Sequence, residues 1–299
     1  MGEDALVLLL TSRLPVNAAL LEGPGDDCAI VQRDDQWDTL LKTDAVVEGI
    51  HFTPETPSEL IGRKALARAV SDVAAMGGLP EHALVTVLAH PDRPAEQLAG
   101  VYRGLCALAE EFGIAIAGGE TTALPTDGLA LSITLTGRVE RGRAWRRSTA
   151  SPGDIIAVTG RLGASFPSGR HLTFRPRLPL ARLLQERGPH PTAAMDISDG
   201  LGTDLPRLAR ASGCGFRLDE HLLPLHEGAT TRQALTDGED YELLLCFRPG
   251  DLPLLEAFLS SNKFSGKDAG ADFAPLTIVG LLTLETAPEL PSGWQHFAH

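Results

Sequence analysis

The stretch SELIGRKALARAVSDVAAMGG, residues 58–78, decides how the chain folds. Small and aliphatic residues fill its middle, Ser58 is a good N-cap, and Gly77 and Gly78 are typical of a helix end, so the stretch predicts a helix. The apolar run HALVTVLAH (82–90) follows directly and predicts a strand. The carboxylate of Asp72 is therefore expected late in a helix, close to the start of a strand.

Outward from this stretch, helices and strands continue to alternate. Pro94 and Gly113 bracket a second predicted helix, and the run IAIA predicts a strand that ends at GGETT (118–122). Residues 129–140 and DIIAVTG (154–160) are strand candidates, and GLGTDLPRLARASG (200–213) predicts another helix. This interleaving predicts an α/β (α+β) fold. The arginine-rich loop 141–152 is the best domain boundary, and we expect domains at 1–148 and 149–299.

Composition excludes several classes of function. The chain has 299 residues and a net charge of −13, which argues against a nucleic-acid partner. No stretch approaches the roughly 20 apolar residues of a membrane span, and the acidic start of the sequence is unlike a signal peptide. The four cysteines are far apart without metal-binding spacing, so we expect reduced thiols and a cytoplasmic protein.

Carboxylates recur in short, turn-rich motifs, and this is the main functional signal. The motifs are GPGDD with Asp26 and Asp27, KTDAVVEGIHF with Asp44, SDVAAMGG with Asp72, GGETT with Glu120, and MDISDG with Asp196 and Asp199. Acidic groups beside glycines at strand and helix ends are suitable oxygen ligands for Mg²⁺, which proteins often share with substrate phosphates. If these groups converge, they predict a magnesium cluster that holds a polyphosphate for phosphoryl transfer.

Each motif also has a purely structural interpretation of nearly equal weight. The aspartates of GPGDD and Asp44 could cap turns, GGETT could be an ordinary glycine turn, and Asp72 could form an exposed pair with Arg68 one helical turn away. Five such motifs together are harder to explain as independent turns. No P-loop or protein-kinase motif is present, so Arg146 or Arg147 is the expected contact for a donor phosphate.

In order along the chain, the motifs resemble those of the thiamine-monophosphate kinase family, which is related to aminoimidazole ribonucleotide synthetase, selenophosphate synthetase and a hydrogenase maturation protein. GEDYEL and VEGIHF distinguish this family from those relatives. The segments that carry the resemblance are GDD (25–27), TDAVVEGIHF (43–52), IGRKALARAVSDVAAMGGLP (61–80), GGETT (118–122), RRSTASPGDIIAVTGRLGAS (146–165), MDISDGLGTDL (195–205), GEDYEL (238–243) and GWQHF (293–297).

The resemblance implies an enzyme that phosphorylates thiamine monophosphate with ATP by direct, Mg²⁺-assisted transfer, without a covalent nucleophile. It implies two α/β domains and a homodimer formed through the N-terminal sheet. By position it implies metal ligands at Asp27, Thr43, Asp44, Asp72, Glu120, Asp196 and Asp199, ATP contacts at Gly119, Glu120, Arg147 and Ser198, and substrate contacts at His51, Glu239 and Trp294. Asp26 is expected to be a bystander.

Two features depart from the family pattern. Glu120 stands where the family usually has aspartate, and the segment GASFPSGRHLTFRPRL (163–178) is shorter than the helical segment usually found there. Two alternatives therefore stay open. One is an ATP-dependent ligase or dehydratase like the related enzymes, and the other is a phosphate-binding regulator without catalytic activity.

Overall fold

The structure is a computed structural model, which describes residues 3–261 and 276–294. Two sheets organise it, one in each half of the chain, and helices cover one face of the first sheet. In the N-terminal half the elements are α1 (Glu3–Thr11), β1 (Leu20–Glu22), β2 (Ala29–Gln32), β3 (Trp37–Val47), α2 (Ser58–Ala75), β4 (Leu79–Ala89), α3 (Ala95–Phe112), β5 (Ala115–Ala123) and β6 (Leu129–Glu140).

The first sheet has six strands in the order β1-β2-β3-β6-β4-β5. All of its pairings are antiparallel except that of β4 with β5, which α3 connects as a parallel pair. α3 begins after Pro94 and ends at Gly113, whose φ of 67° lies in the left-handed region that favours glycine. Both ends of this helix confirm the prediction from the sequence.

The second sheet has five strands in the order β8-β10-β7-β11-β9, and all of its pairings are antiparallel. The elements of this half are β7 (Ile155–Thr159), α4 (Arg170–Thr173), α5 (Leu178–Arg187), β8 (Ala193–Ile197), α6 (Leu201–Ala211), β9 (Gly215–Leu218), α7 (Thr231–Thr236), β10 (Glu242–Phe247), α8 (Leu252–Ser261) and β11 (Leu276–Thr283). The two sheets confirm the predicted mixed α/β architecture, whereas the domain boundary at 148/149 stays a prediction.

The helix α2 lies at the centre of the molecule. It is buried along most of its length and contacts β3, β4 and β6 of the first sheet as well as β8 and α5 of the second half. One continuous apolar core joins its alanines to Leu243 and Phe247 of β10. Small side chains suit a helix that packs on several sides at once. This packing brings Asp72 of α2 to the junction of the two sheets.

Three local predictions differ from the structure. Ser58 is the first residue of α2, and Pro57 occupies the N-cap position without a side-chain bond. GGETT lies inside β5, because the backbone stays paired with β4 through Ala123, so it does not mark a strand end. Asp44 likewise lies inside β3, which continues to Val47.

A close helix contact gives a prediction for stability. A Cβ atom at Gly62 of α2 would lie 1.8 Å from the carbonyl oxygen of Val101 on α3, so alanine cannot fit without separating the two helices. We expect Gly62→Ala to lower the free energy of unfolding by about 1–3 kcal/mol, the usual effect of overpacking. Chemical denaturation measures this, with Gly128→Ala as control, because the nearest atom to that Cβ is 3.6 Å away. Equal stability of the two variants would contradict the close contact.

Candidate active site

Three buried aspartates from distant parts of the sequence meet between the two sheets. Asp27 follows the turn before β2, Asp72 lies on α2 and Asp196 lies on β8, and one carboxylate oxygen from each lies within 4.8 Å of the others. We call these three residues the acid triad. The convergence agrees with the prediction of a shared carboxylate site rather than with independent structural roles for the three motifs.

Each carboxylate of the acid triad has a different partner. Arg147 donates to Oδ1 of Asp27, Nζ of Lys42 donates to Oδ1 of Asp72 at 2.8 Å, and Oγ of Ser71 donates to Oδ2 of Asp196 at 2.7 Å. The second oxygen of Asp27, Oδ2, is buried and has no hydrogen-bond partner among the described residues.

Burial and crowding raise the pKa of two members of the acid triad. Burial raises the pKa of Asp72 well above its ordinary value, and Asp196 adds to this while Lys42 opposes it. Burial, followed by repulsion from Asp27, raises the pKa of Asp196 to about 7. A divalent cation would favour the ionised forms of all three acids. Together with the unpartnered Oδ2 of Asp27, the all-oxygen donor set fits a hard cation such as Mg²⁺.

Two further predicted metal ligands lie near the acid triad, but each forms an ion pair with an arginine. Asp44 pairs with Arg68 at 3.0 Å, and Asp199 accepts a hydrogen bond from Arg207. Asp72 pairs with Lys42, so the predicted alternative of an exposed Arg68–Asp72 pair is wrong. The pairing of Asp72 with Lys42 could not be predicted from local sequence, because it depends on β3 lying beside α2 in space.

Asp26 lies beside the acid triad. Its carboxylate accepts a hydrogen bond from the backbone nitrogen of Arg147 at 3.2 Å. Burial, followed by repulsion from Asp27, raises the pKa of Asp26 to about 6. Asp26 thus helps to hold the arginine that contacts Asp27, and its expected role as a bystander stays a prediction.

Thr43 and Glu120 lie on the other, open face of the first sheet. Neighbouring strand residues face opposite sides, so Thr43 points away from the face of Asp44. The hydroxyl of Thr43 lies 3.5 Å from that of Ser132, and the register places Ser132 opposite Thr86, which is opposite Glu120. Within one chain, the structure does not bring Glu120 to the acid triad, and its role as a metal ligand stays a prediction.

Gly119 precedes Glu120 on the edge strand β5. A Cβ atom there would lie 1.8 Å from the carbonyl oxygen of Val85, so glycine is required for β5 to pair closely with β4. This requirement explains the glycine without any ligand. Its predicted contact with ATP is therefore not tested by the geometry of one chain.

The predicted substrate residues line one cavity of about 270 Å³. His51 enters from the N-terminal half, whereas Glu239 and Trp294 enter from the C-terminal half. The lining consists of Gly49, Ile50, His51, Arg68, Phe166, Ser198, Asp199, Asp237, Glu239, Tyr241 and Trp294. All three substrate residues predicted from the sequence therefore meet, together with the predicted ATP contact Ser198 and the predicted metal ligand Asp199.

Local hydrogen bonds fix several of these lining residues. Nδ1 of His51 accepts from the backbone nitrogen of Val47 at 3.1 Å, which assigns the proton of the neutral ring to Nε2. The backbone nitrogen of Trp294 donates to the carbonyl oxygen of Asp199 at 3.0 Å and so anchors the end of the described chain at the cavity. Residues 295–297 of the GWQHF motif lie outside the described residues.

Asp204 is a structural organiser of the site that the sequence did not single out. Its carboxylate is fully buried and accepts hydrogen bonds from the backbone nitrogens of Ser198 at 3.0 Å and Asp199 at 2.9 Å. It fixes the turn between β8 and α6, where Asp196 and the cavity meet. An acidic residue in the first turn of a predicted helix is a signal that could have identified it. Of the other residues on the cavity wall, Tyr241 lies in the motif GEDYEL (238–243), whereas Phe166 had no comparable signal.

Comparison with known proteins places this site in a family. Residues 25–139 match the N-terminal domain of AIR synthase related proteins, and residues 151–263 match the C-terminal domain. The two matches and the two sheets define the chain as a two-domain protein of the AIR synthase related class.

Individual relatives narrow the class further. The thiamine-monophosphate kinase of Rhodopirellula baltica is 39% identical over 276 residues, which cover 85% of each chain. That of Salmonella typhimurium is 35% identical over 84% of this chain and 83% of its own. The chain belongs to the thiamine-monophosphate kinase family, which confirms the resemblance of the motifs.

Solved structures agree with this assignment. "AaThiL complexed with AMPPCP and TMP" has a TM-score of 0.82, with 28% identity over 99% of this chain and 97% of its own. The hydrogenase maturation protein HypE of E. coli has a TM-score of 0.70 but only 20% identity over 99% of this chain and 97% of its own, and this shows a shared fold alone.

Proposed function

We propose that this chain transfers the γ-phosphoryl group of ATP to thiamine monophosphate and forms thiamine diphosphate and ADP. One observation carries the proposal: Asp196 of the acid triad lies at the end of β8, and Ser198 and Asp199 of the cavity lie on the turn that follows directly. A site for phosphates and a site for a heteroaromatic ring are thus adjacent. The names of the relatives support the kinase assignment and a place in thiamine diphosphate biosynthesis.

The reaction requires little covalent chemistry from the protein. A terminal phosphate oxygen of thiamine monophosphate attacks the γ-phosphorus of ATP, and the bond to the β-phosphate oxygen breaks, so that ADP leaves. The second pKa of a phosphate monoester is about 6, so the attacking oxygen is already ionised at neutral pH. The protein therefore positions the two phosphates, neutralises charge and excludes water, without a covalent nucleophile.

Magnesium would be held by carboxylates of the acid triad and would neutralise charge on the transferred phosphoryl group. Arg147 beside Asp27 would contact a phosphate of ATP, and Ser198 would donate from the turn that Asp204 fixes. The full proposed ligand set for magnesium is Asp27, Thr43, Asp44, Asp72, Glu120, Asp196 and Asp199, and the proposed ATP contacts are Gly119, Glu120, Arg147 and Ser198.

The cavity offers chemistry suited to thiamine. The ring of Trp294 is an aromatic face for the cationic thiazolium, and the carboxylate of Glu239 is an acceptor for the aminopyrimidine. His51 lines the same cavity from the N-terminal half and offers the proton on Nε2 to a ligand. These three residues are the proposed substrate contacts.

We further propose that the active protein is a homodimer in the cytoplasm. β5 is an edge strand with both faces largely exposed, and Leu41 and Leu84 are exposed on the open face of the same sheet, so this sheet can pair with that of a second copy. None of the four cysteines forms a disulfide, which suits a reducing compartment. Among the described residues, no helix is both long and apolar enough to cross a membrane.

The proposed function is tested by incubating the purified protein with ATP, Mg²⁺ and thiamine monophosphate and separating the products by chromatography. We expect thiamine diphosphate and ADP in equal amounts, and neither product when EDTA removes the metal. Folded protein that forms no thiamine diphosphate would overturn the proposal. Hydrolysis of ATP without transfer would favour another ATP-dependent activity.

Replacing Trp294 tests the proposed contact with the thiazolium. The side chain lines the cavity and is 47% exposed, so its loss should leave the fold intact. We expect Trp294→Ala to raise the KM for thiamine monophosphate about 10-fold, because a cation–π contact contributes about 0.5–2 kcal/mol. The KM for ATP should change less than about twofold. Steady-state kinetics with each substrate varied in turn measures both values.

Trp37 provides a control for this substitution. Its ring lies against Arg138, 4.6 Å from ring centroid to guanidinium carbon, and it is not among the residues that line the cavity. Trp37→Ala should leave the KM for thiamine monophosphate unchanged. If Trp294→Ala raised both KM values equally, stacking on the thiazolium would be rejected.

A further inference from the structure

Lys64 is a fully buried cation behind the wall of the cavity. It lies on α2, has no exposed surface and does not itself line the cavity. Its ammonium donates to the carbonyl oxygen of His51 at 2.6 Å and to Oε2 of Glu239. Both of these partners do line the cavity, one from each half of the chain. Lys64 therefore connects the two sides of the site.

Burying an ammonium in this position is costly unless it is paired and hydrogen-bonded. Apolar residues of similar size would fill the same volume at no such cost, so core packing alone does not explain a lysine here. The carboxylate of Glu239 is its counter-charge, and the Glu239 side chain is 17% exposed toward the cavity. The charge pair is thus arranged around a carboxylate that a ligand can reach.

The backbone around Glu239 is also under strain. The φ angles of Glu239 and Tyr241 are 59° and 50°, in the left-handed region that residues with side chains rarely adopt. Hydrogen bonds hold this conformation, from the nitrogen of Glu239 to the carbonyl oxygen of Ser198 at 2.7 Å and from that of Tyr241 to Ile197 at 2.8 Å. Strain of this kind persists where surrounding contacts fix it, and it is concentrated at functional sites.

Both oxygens of Glu239 have a donor from the protein. Lys64 donates to Oε2, and the hydroxyl of Tyr241 lies 3.4 Å from Oε1. A carboxylate in an ion pair with a lysine ammonium can only accept hydrogen bonds from a ligand. A ligand group that faces it must therefore be a donor, such as an amino group. An oxo group at that position would place two acceptors together.

We propose that Lys64 is a positioning residue that holds the Glu239 carboxylate oriented as an acceptor at the cavity wall, so that the cavity selects a heteroaromatic ring carrying an amino group over one carrying an oxo group. This inference rests on the proposed function and defines the specificity of the same site. Lys64 acts through the carboxylate of Glu239 and the backbone carbonyl of His51, and it does not contact the reacting phosphates.

The test uses Lys64→Met and Lys64→Arg with two substrates, thiamine monophosphate and its analogue with an oxo group in place of the pyrimidine amino group. We expect Lys64→Met to raise the KM for thiamine monophosphate about 10- to 100-fold, the range for losing a hydrogen bond to a charged group. The KM for ATP should change less than about twofold, and preference over the oxo analogue should fall by a similar 10- to 100-fold. Lys64→Arg should recover part of that preference, because it keeps the charge.

Arg63 is the matched control, because this neighbouring cation on α2 donates to the carbonyl oxygen of Phe174 at 2.7 Å and does not line the cavity. Arg63→Met should leave the preference between the two substrates unchanged. If Lys64→Met does not fold, Glu239→Gln provides the second variant. This variant removes the negative charge of Glu239 and leaves Lys64 in place. We expect it, too, to lose the preference for the amino group.

The outcomes separate this inference from the proposed function. If the wild-type protein phosphorylates thiamine monophosphate but Lys64→Met and Glu239→Gln keep its preference over the oxo analogue, the positioning role is overturned and the function stands. If the wild-type protein forms no thiamine diphosphate, the function fails. Binding of thiamine monophosphate and of its oxo analogue, measured by calorimetry without ATP, then still tests whether Lys64 controls the preference.

Discussion

Asp72→Asn is expected to reduce kcat about 1,000-fold or more while the protein stays folded. Asp72 is 6% exposed, and its carboxylate lies within 4.8 Å of those of Asp27 and Asp196. Asparagine keeps the size of the side chain but removes a negative charge from the proposed magnesium site. Loss of about 4 kcal/mol of charge stabilisation in the transition state corresponds to that factor.

The expected effect on stability is small because two changes oppose each other. The substitution leaves the ammonium of Lys42 without its carboxylate partner, which destabilises the fold. It also removes the repulsion between Asp72 and Asp196, which contributes to the raised pKa of Asp72. Thermal unfolding without metal should therefore change little. Calorimetry should show weakened Mg²⁺ binding.

Asp38→Asn is the matched control for this prediction. Asp38 is a buried aspartate on β3, 1% exposed, and it accepts a hydrogen bond from the nitrogen of Gly142 at 2.9 Å, away from the acid triad. This variant should keep kcat and Mg²⁺ binding even if it is less stable. Turnover above about a tenth of the wild-type value in Asp72→Asn would mean that Asp72 only neutralises Lys42.

Local signals in the sequence predicted most elements of the fold. The strand predicted at 129–140 is β6, and the helix predicted between Pro94 and Gly113 is α3, because caps and apolar runs act over a few neighbouring residues. The errors lie where long-range pairing overrides local chemistry. GGETT has the composition of a turn, but its pairing with β4 keeps it extended inside β5.

The candidate site likewise has features that local sequence predicts and features that depend on long-range contacts. Asp27, Asp72 and Asp196 were predicted as members of a larger set of acidic ligands, because acids beside glycines at the ends of strands and helices are unusual packing material, and the resemblance aligned them with one function. Lys42 and Lys64 could not be assigned partners from the sequence. Their carboxylates are Asp72, 30 residues away, and Glu239, 175 residues away, so these pairs exist only in the folded chain.

Arg147→Met is expected to lower kcat/KM for ATP by about 100-fold or more. The Arg147 guanidinium donates to Asp27, and its Nε lies 3.8 Å from Oδ1 of Asp26. Its side chain is still 21% exposed, so a phosphate can reach it. Losing an arginine that contacts a transferred phosphoryl group costs about 10³–10⁵ in turnover where it acts as the main cation, and we expect less here because magnesium shares the charge.

The same substitution should also destabilise the protein without metal. It leaves Asp27, whose side chain is fully buried, without its cationic partner, and breaking such a pair costs about 3–5 kcal/mol. Mg²⁺ would replace part of the lost positive charge. We therefore expect Mg²⁺ to raise the melting temperature of Arg147→Met more than that of the wild type, and differential scanning fluorimetry with and without the metal measures this.

Arg146→Met distinguishes between the two arginines that the sequence left open as phosphate contacts. Arg146 points elsewhere, with its Nε 3.4 Å from Glu22 and its side chain 34% exposed, and such a pair contributes at most about 1 kcal/mol. Its removal should change the kinetics with ATP less than about twofold. Of the two arginines, Arg147 is the one that pairs with a member of the acid triad. If Arg146→Met lowered kcat/KM for ATP as much as Arg147→Met or more, Arg147 would be rejected as the phosphate contact.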